Sequence, residues 1–254
     1  MNDLIDVSVW SGHWPFRAVK RREPKELKAF LQGKGVRQAW ISSAEAVLYP
    51  DPMQGNEPLL EAVGGDEFFL PVPILDVSLP LWRKDAEECV RRFKVKAFKL
   101  TPNYHQTPLN DRKVDEFCAF AAEKKLAVCI QLRMMEERTH HPLMKIPPVQ
   151  LGDLAKLASQ HPTVKFLACA AFCRDLPKLR EASNVFVEHS LVESPFTLKV
   201  ALDAVGPERL VFGSHSPFIY YEANLAKLNA DPVDVKPEAL RAIRHGNAAR
   251  ILGA

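Results

Sequence analysis

A regular alternation of short apolar strands with amphipathic helices, recurring about every 30 residues along 254, is the feature that limits this sequence most. Eight runs carry the strand signature: residues 5–10, 36–42, 68–75, 95–100, 127–132, 164–170, 185–189 and 210–212. Segments with helical spacing separate them, at 24–34, 58–63, 81–93, 114–125, 149–160, 176–182 and 195–205, and two more, at 222–228 and 236–252, end the chain. The pattern predicts an α/β fold, a (β/α)8 TIM barrel built by a single domain over residues 1–254. A doubly wound open sheet is the competitor. It would normally show a glycine-rich phosphate loop after its first strand, and SGHWPFR is not one. Pro71 and Pro73 cannot donate to a ladder, so the pairing of the third strand is in doubt. Ser194 is the expected cap of the helix at 195–205, with Pro195 in its first turn.

Hydrophobic residues make up 47% of the chain, enough for a large core, and no composition break suggests a linker. The net charge of +3 comes from interspersed acids and bases, so the footprint of a nucleic-acid binder is missing. Neither a leader peptide nor a membrane-spanning run is legible, which predicts a soluble cytoplasmic protein. Five cysteines, an odd number set mostly among apolar neighbours, suit buried thiols in a reducing compartment. Barrels of this kind often pair through their helices, so a homo-oligomer is compatible with the sequence, although no interface signature is present.

Chemistry-bearing residues gather where strands end. The stretch RLVFGSHSPF at 209–218 is an apolar strand followed by Gly213 and three polar residues, Ser214, His215 and Ser216. His13, His105, His140, His141 and His189 likewise follow or end strands, and a barrel would carry all six histidines to one mouth. Lys99, Arg17, Arg133 and Arg138 could add positive charge there, which favours a substrate bearing a carboxylate. The plain structural alternative pairs Lys99 with an acid inside the barrel, and Arg133 and Arg138 with Glu136 and Glu137. Trp10, Trp14, Phe16 and Tyr104 would supply aromatic walls.

Taken in order, IDVSVWSG at 5–12, VKAFKLTPNY at 95–104, VKFLACAA at 164–171, ERLVFGSHSPF at 208–218 and HGNAARILG at 245–253 resemble the amidohydrolase-related (amidohydrolase 2) family of metal-dependent TIM-barrel hydrolases and decarboxylases. The resemblance runs nearly end to end. It implies a divalent metal held by an Asp-x-His-x-His pattern on strand one, by histidines on strands five and six, and by an aspartate on strand eight. This chain has Ser8 and Trp10 at the two strand-one histidines, Gln131 on strand five, Cys169 or Ala170 on strand six, and His215 in place of the aspartate. Ser, Trp, Gln and Ala do not make a zinc or manganese site.

Three readings follow from the resemblance. In the first, the protein is a hydrolase with no metal cofactor that cleaves a small carboxylate-bearing lactone, ester or amide. His215 is its general base, and Lys99 and Arg133 hold the carboxylate and the oxyanion. Trp10, His13, Trp14, Arg17, Tyr104, Gln131 and His189 line the substrate. In the second, a divalent metal such as zinc has moved onto His13, His189, His215 and Glu188. In the third, catalysis is lost and the barrel binds a ligand or acts as a scaffold.

Overall fold

The computed structural model describes residues 3–141, 145–229 and 235–253. Nine strand segments among them run parallel in chain order: β1 (Leu4–Ser11), β2 (Val36–Ser43), β3 (Phe69–Pro71), β4 (Ile74–Leu75), β5 (Ala97–Leu100), β6 (Ala127–Gln131), β7 (Phe166–Cys169), β8 (Val185–Glu188) and β9 (Leu210–Val211). The expected third strand is the pair β3 and β4, because Pro71 and Pro73 break it. Its neighbours bridge the break. Val72 N–H donates to Ile41 O and Lys99 N–H to Pro73 O, both at 2.8 Å, so one barrel position survives as two pieces.

The second gap, between β9 and β1, closes the ring. Val7 N–H donates to Phe212 O at 3.0 Å, Trp10 N–H donates to Ser216 O at 2.8 Å, and Val9 bridges Ser216 in parallel. The result is a (β/α)8 barrel, as the repeat predicts.

Helices α1 (Pro24–Gly33), α2 (Met53–Val63), α3 (Trp82–Phe93), α4 (Arg112–Lys124), α5 (Leu151–Gln160) and α6 (Thr197–Val205) follow successive strands, and a 3-10 segment (Cys173–Leu179) stands where residues 176–182 predict a helix. Phe196 and not Ser194 occupies the cap of α6, while Ser194 Oγ accepts from Phe196 N–H at 3.1 Å. The single terminal helix expected at 236–252 is interrupted. It runs as α8 (Pro237–Arg241), a wide π turn (Ala242–Gly246) and α9 (Asn247–Ile251), after α7 (Tyr221–Lys227). Phe212 N–H reaches Ile243 O in that turn, and Asn247 Nδ2 donates to Pro207 O and Leu210 O at 2.7 Å, which ties the end of the chain to the last strand.

Alternation along each strand separates two cores. On β5, Phe98 and Leu100 pack outward under the helices, while Ala97 joins Ile5, Val7, Cys129, Leu167 and Cys169 in the barrel interior. Lys99 shares the inward parity of Ala97. β1 breaks this rule at a bulge between Asp6 and Val9. Val7 faces the interior, Val9 packs outward, and Trp10 turns back to the mouth.

The Asp6 carboxylate forms the bulge and closes the seam. Its Oδ1 accepts from Ser8 N–H at 3.2 Å and from Ser214 N–H at 2.9 Å, while Oδ2 is buried without a partner. Burial raises Asp6 from an ordinary 3.8 to about 7, against the backbone donors that lower it. The folded state therefore binds a proton that the unfolded chain has released between pH 3.8 and 7, and stability falls as pH rises through that window. Asp6→Asn removes this titration and keeps an acceptor oxygen. Its stability relative to the native chain should climb by about 2–4 kcal/mol between pH 4 and pH 7.5 in urea unfolding, whatever the offset at pH 4. A difference that does not change with pH would show that Asp6 is ionised in the fold.

Candidate active site

The approach to His215 is set by backbone shape. A Cβ on Gly213 would lie 2.8 Å from Glu188 Oε2 and 3.1 Å from Ser8 Cβ, so only glycine lets β9 pass so close to β8 and β1. His215 itself adopts a left-handed backbone, φ +53. Ser214 Oγ accepts from Ser216 N–H at 3.1 Å and Asn224 Nδ2 donates to Ser214 O at 2.8 Å, which holds the turn.

This conformation drives the imidazole inward. Trp10 Nε1–H donates to His215 Nδ1 at 3.3 Å, Ser8 Oγ lies 3.5 Å from the same nitrogen, and Nε2 is 2.8 Å from Met134 O. An indole nitrogen only donates, so Nδ1 carries the lone pair and the ring proton sits on Nε2. Burial, with a further push from Lys99, lowers His215 from 6.5 to about 4. The ring is neutral at physiological pH.

Lys99 is the unusual member of the cluster. It is 1% exposed, its Nζ lies 3.9 Å from the Trp10 ring centroid, and among the described residues it forms no ion pair. The acid partner that the plain structural alternative supplies is not there. Two further inward side chains, Cys129 and Cys169, share a thiol contact near Lys99, and that contact together with burial holds Cys169 well above the ordinary thiol range. Gln131 is also fully buried; its Nε2 donates to Arg133 O at 2.7 Å and its Oε1 has no partner.

Other candidates sit elsewhere. Arg133 uses its donors structurally: Nη1 reaches Ala170 O at 2.6 Å, Nε reaches Glu137 at 3.1 Å, and the guanidinium lies 3.7 Å from the Phe172 centroid. His189 is in the wall between β8 and α7. Its Nδ1 accepts from Gly213 N–H at 3.4 Å, Nε2 meets Asn224 O at 3.1 Å, and burial lowers it to about 3. Glu188 accepts from Ala170 N–H and from both donors of Ser190, and burial raises its pKa.

His13 is exposed beside Arg22, and His105 lies 4.0 Å from Asp76, so neither is among the hydrogen-bond partners of His215. Arg17 is exposed and donates to Phe218 O at 2.7 Å. Trp10, Lys99, Gln131 and His215 are the predicted residues that the fold gathers inside the barrel. Ser8, Met134 and Phe218 belong with them; the sequence marks Ser8 only as a replaced ligand position and singles out neither Met134 nor Phe218. Ser8 becomes a neighbour of His215 only through the bulge, and Met134 contributes a backbone oxygen that no side-chain pattern reveals.

An apolar seal covers the cluster. Trp14, Met134 and Phe218 are buried with Trp10, and the Phe218 ring lies 5.6 Å from those of both Trp14 and His215. Tyr104 packs 6.1 Å from Trp14, and burial pushes its phenol pKa up. Beyond the seal, Arg17, Met135, Arg138 and Leu191 help to line a vestibule of about 370 Å³ that Met134 and Phe218 also border.

The positions implied for a metal carry a hydroxyl, an indole, a carboxamide, a thiol or methyl, and an imidazole whose free lone pair faces an indole N–H. That set does not fit a divalent ion. Among the described residues no group of three or more His, Cys, Asp or Glu is arranged to hold one, and His13 stands apart from His189, His215 and Glu188.

No helix among the described residues is long and apolar enough to cross a membrane. Comparison with curated proteins finds no match. Solved structures do match. 5-Carboxyvanillate decarboxylase LigW from Sphingomonas paucimobilis is similar with a TM-score of 0.78 at 13% identity, over 100% of this chain and 99% of that one. 2,6-Dihydroxybenzoate decarboxylase complexed with 2,6-dihydroxybenzoate gives 0.77 at 14%, over 100% of both chains. Dihydroxybenzoic acid decarboxylase from Polaromonas sp. JS666, with bound manganese and 2-nitroresorcinol, gives 0.78 at 14%, over 100% of this chain and 97% of that one. At such identities the likeness shows the barrel fold alone. The family model described as Amidohydrolase matches residues 15–254, and the chain therefore belongs to the amidohydrolase family.

Proposed function

We propose that this chain is an enzyme whose reaction centre is the Lys99, Trp10 and His215 cluster, that it works without the family's divalent ion, and that its substrate is a small molecule bearing a carboxylate. One observation carries the reading: a lysine ammonium buried against an indole face with no acid beside it among the described residues. An isolated charge in such surroundings costs several kcal/mol, and the indole quadrupole returns only about 1–2 kcal/mol of it. A bound carboxylate or a developing oxyanion supplies the missing counter-charge. Family membership, and the carboxylate ligand in the 2,6-dihydroxybenzoate complex, support the same substrate class.

Hydrolysis of a lactone, ester or amide is the chemistry the cluster supports best. His215 takes a proton from water on Nδ1 as the water oxygen adds to the carbonyl carbon. Once protonated there, the ring no longer accepts from Trp10, so the indole N–H is released to donate to the oxyanion beside Lys99. Collapse of the adduct breaks the carbonyl carbon's bond to the leaving oxygen or nitrogen, which takes the proton back from Nδ1 and restores neutral His215. The Met134 carbonyl keeps the Nε2 proton in place throughout and stabilises the imidazolium. Substrate enters from the vestibule side by displacement of the Phe218 ring and the Met134 side chain, the Met134 backbone staying in place. Arg133, Gln131 and His189 act through position: they brace the loops after β6 and β8 that hold the pocket.

The seal itself favours a second reading, a barrel that binds a ligand without turning it over. A panel of carboxylate-bearing lactones, esters, amides and hydroxybenzoates separates the two. Hydrolysis of at least one panel member is expected, with kcat/KM lowered about 10²–10³-fold in Lys99→Met and about 10²–10⁴-fold in His215→Asn. Release of carbon dioxide from a hydroxybenzoate would replace hydrolysis by decarboxylation. A ligand that raises the melting temperature with no product formed would favour the binding reading.

Two conditions sharpen the proposal. Exhaustive chelation should leave the rate unchanged, and loss of activity restored by zinc or manganese would overturn metal independence. Because His215 is held near 4 and not 6.5, the acid limb of kcat/KM should fall at about pH 4, the base remaining neutral and competent above it. A limb near pH 6.5 would show that the reacting histidine is solvated and is not this one.

A further inference from the structure

A cleft outside the barrel gathers three cations, none of them in an ion pair among the described residues. Arg17, Lys20 and Arg21 line a cavity of about 230 Å³ between the loop after β1 and the loop after β9. The single carboxylate on the lining, Glu222, is paired with Lys34 at 2.6 Å and also feels the charge of Arg21, so the three cations exceed the acid beside them.

Two of the cations are held in place by neutral groups. Arg17 Nη1 donates to Phe218 O at 2.7 Å, which leaves the rest of its fork open. Arg21 stands on a left-handed backbone, φ +56, with its guanidinium 4.1 Å over the Phe30 ring. Tyr221 closes the cavity wall, and its buried hydroxyl has no partner.

We propose that this cleft is a second ligand site, separate from the barrel centre, for a small dianion that carries a phosphate group. Three cations lining one small cleft favour an anion between them, and planar guanidinium forks match the oxygens of phosphate. Phosphate carries up to two negative charges at neutral pH, which suits three cations with one neighbouring acid better than a single carboxylate does. Barrel proteins often hold phosphate in the loops after their last strands, and Ser216 to Glu222 form that connection here. The site does not depend on the chemistry assigned to Lys99, which lies inside the barrel.

Calorimetric titration of the full chain with inorganic phosphate and with methyl phosphate, at an ionic strength fixed with chloride, tests this. Saturable binding is expected, weakened at least about tenfold in a Lys20→Ala/Arg21→Asn double variant. Asparagine accepts the left-handed backbone readily and both positions are exposed, so the variant should keep the native circular dichroism. Tighter binding of methyl phosphate would identify an ester as the natural ligand, and tighter binding of inorganic phosphate the free ion. The proposal is overturned if neither probe binds up to about 10 mM. It is equally overturned if the double variant binds as the native chain does, or if Lys99→Met abolishes binding while Lys20 and Arg21 are intact.

Discussion

The seam between the first and last strands is the constraint on which the rest of this molecule depends. A closed parallel barrel has no edge only if its ends meet. Here they meet across a bulge shaped by the Asp6 carboxylate, which accepts backbone hydrogens from both sides of the join. The same bulge shifts the inward parity of β1 from Val9 to Trp10, and so delivers the indole to the ring of His215. Closure and the arrangement of the candidate site are one event. The cost is a carboxylate buried with one oxygen unpartnered, a burial the barrel tolerates because the Asp6 proton can stay on at neutral pH.

Electrostatics then divides the molecule into a neutral and a charged compartment. His189 and His215 are both held far below their ordinary range by burial, and both give their lone pairs to fixed donors. They contribute shape and hydrogen bonds without adding charge. Lys99 stands against this neutral background as a buried cation set over the face of Trp10. Its position beneath an apolar seal means that any ligand reaching it is stripped of water, where a charge pair is worth far more than at a surface. Outside the seal, Arg17 contributes to both the vestibule and the cationic cleft; in the vestibule its neighbours include Glu136, Glu193 and an Arg138 already paired with Glu136, so the excess positive charge lies on the cleft side.

Much of the fold was legible because strand and helix periodicities are local. Lys99 and His215 were legible as candidates because polar residues at the ends of apolar strands must face the mouth. Arg133 and His189 carried the same signal, yet the first spends its donors on Ala170 O and Glu137, and the second spans the β8 wall to Gly213 and Asn224. Sequence position shows that a polar group ends a strand but not which carbonyl it will meet. His13 and His105 diverge for a related reason: the loops that carry them run over the surface and toward Asp76, and no strand parity governs a loop.

By itself the sequence determined the eightfold repeat, the end of the barrel at which polar residues collect, and the replacement of the family's ligand types. Each follows from residue identity and spacing along one strand. Tertiary structure alone decided that Ser8 and Trp10 converge on a single imidazole nitrogen, that Lys99 has no acid partner among the described residues, and that Phe218 packs over Trp10 and His215. The first of these joins residues about 200 positions apart, through a bulge and a ring closure that no local pattern encodes.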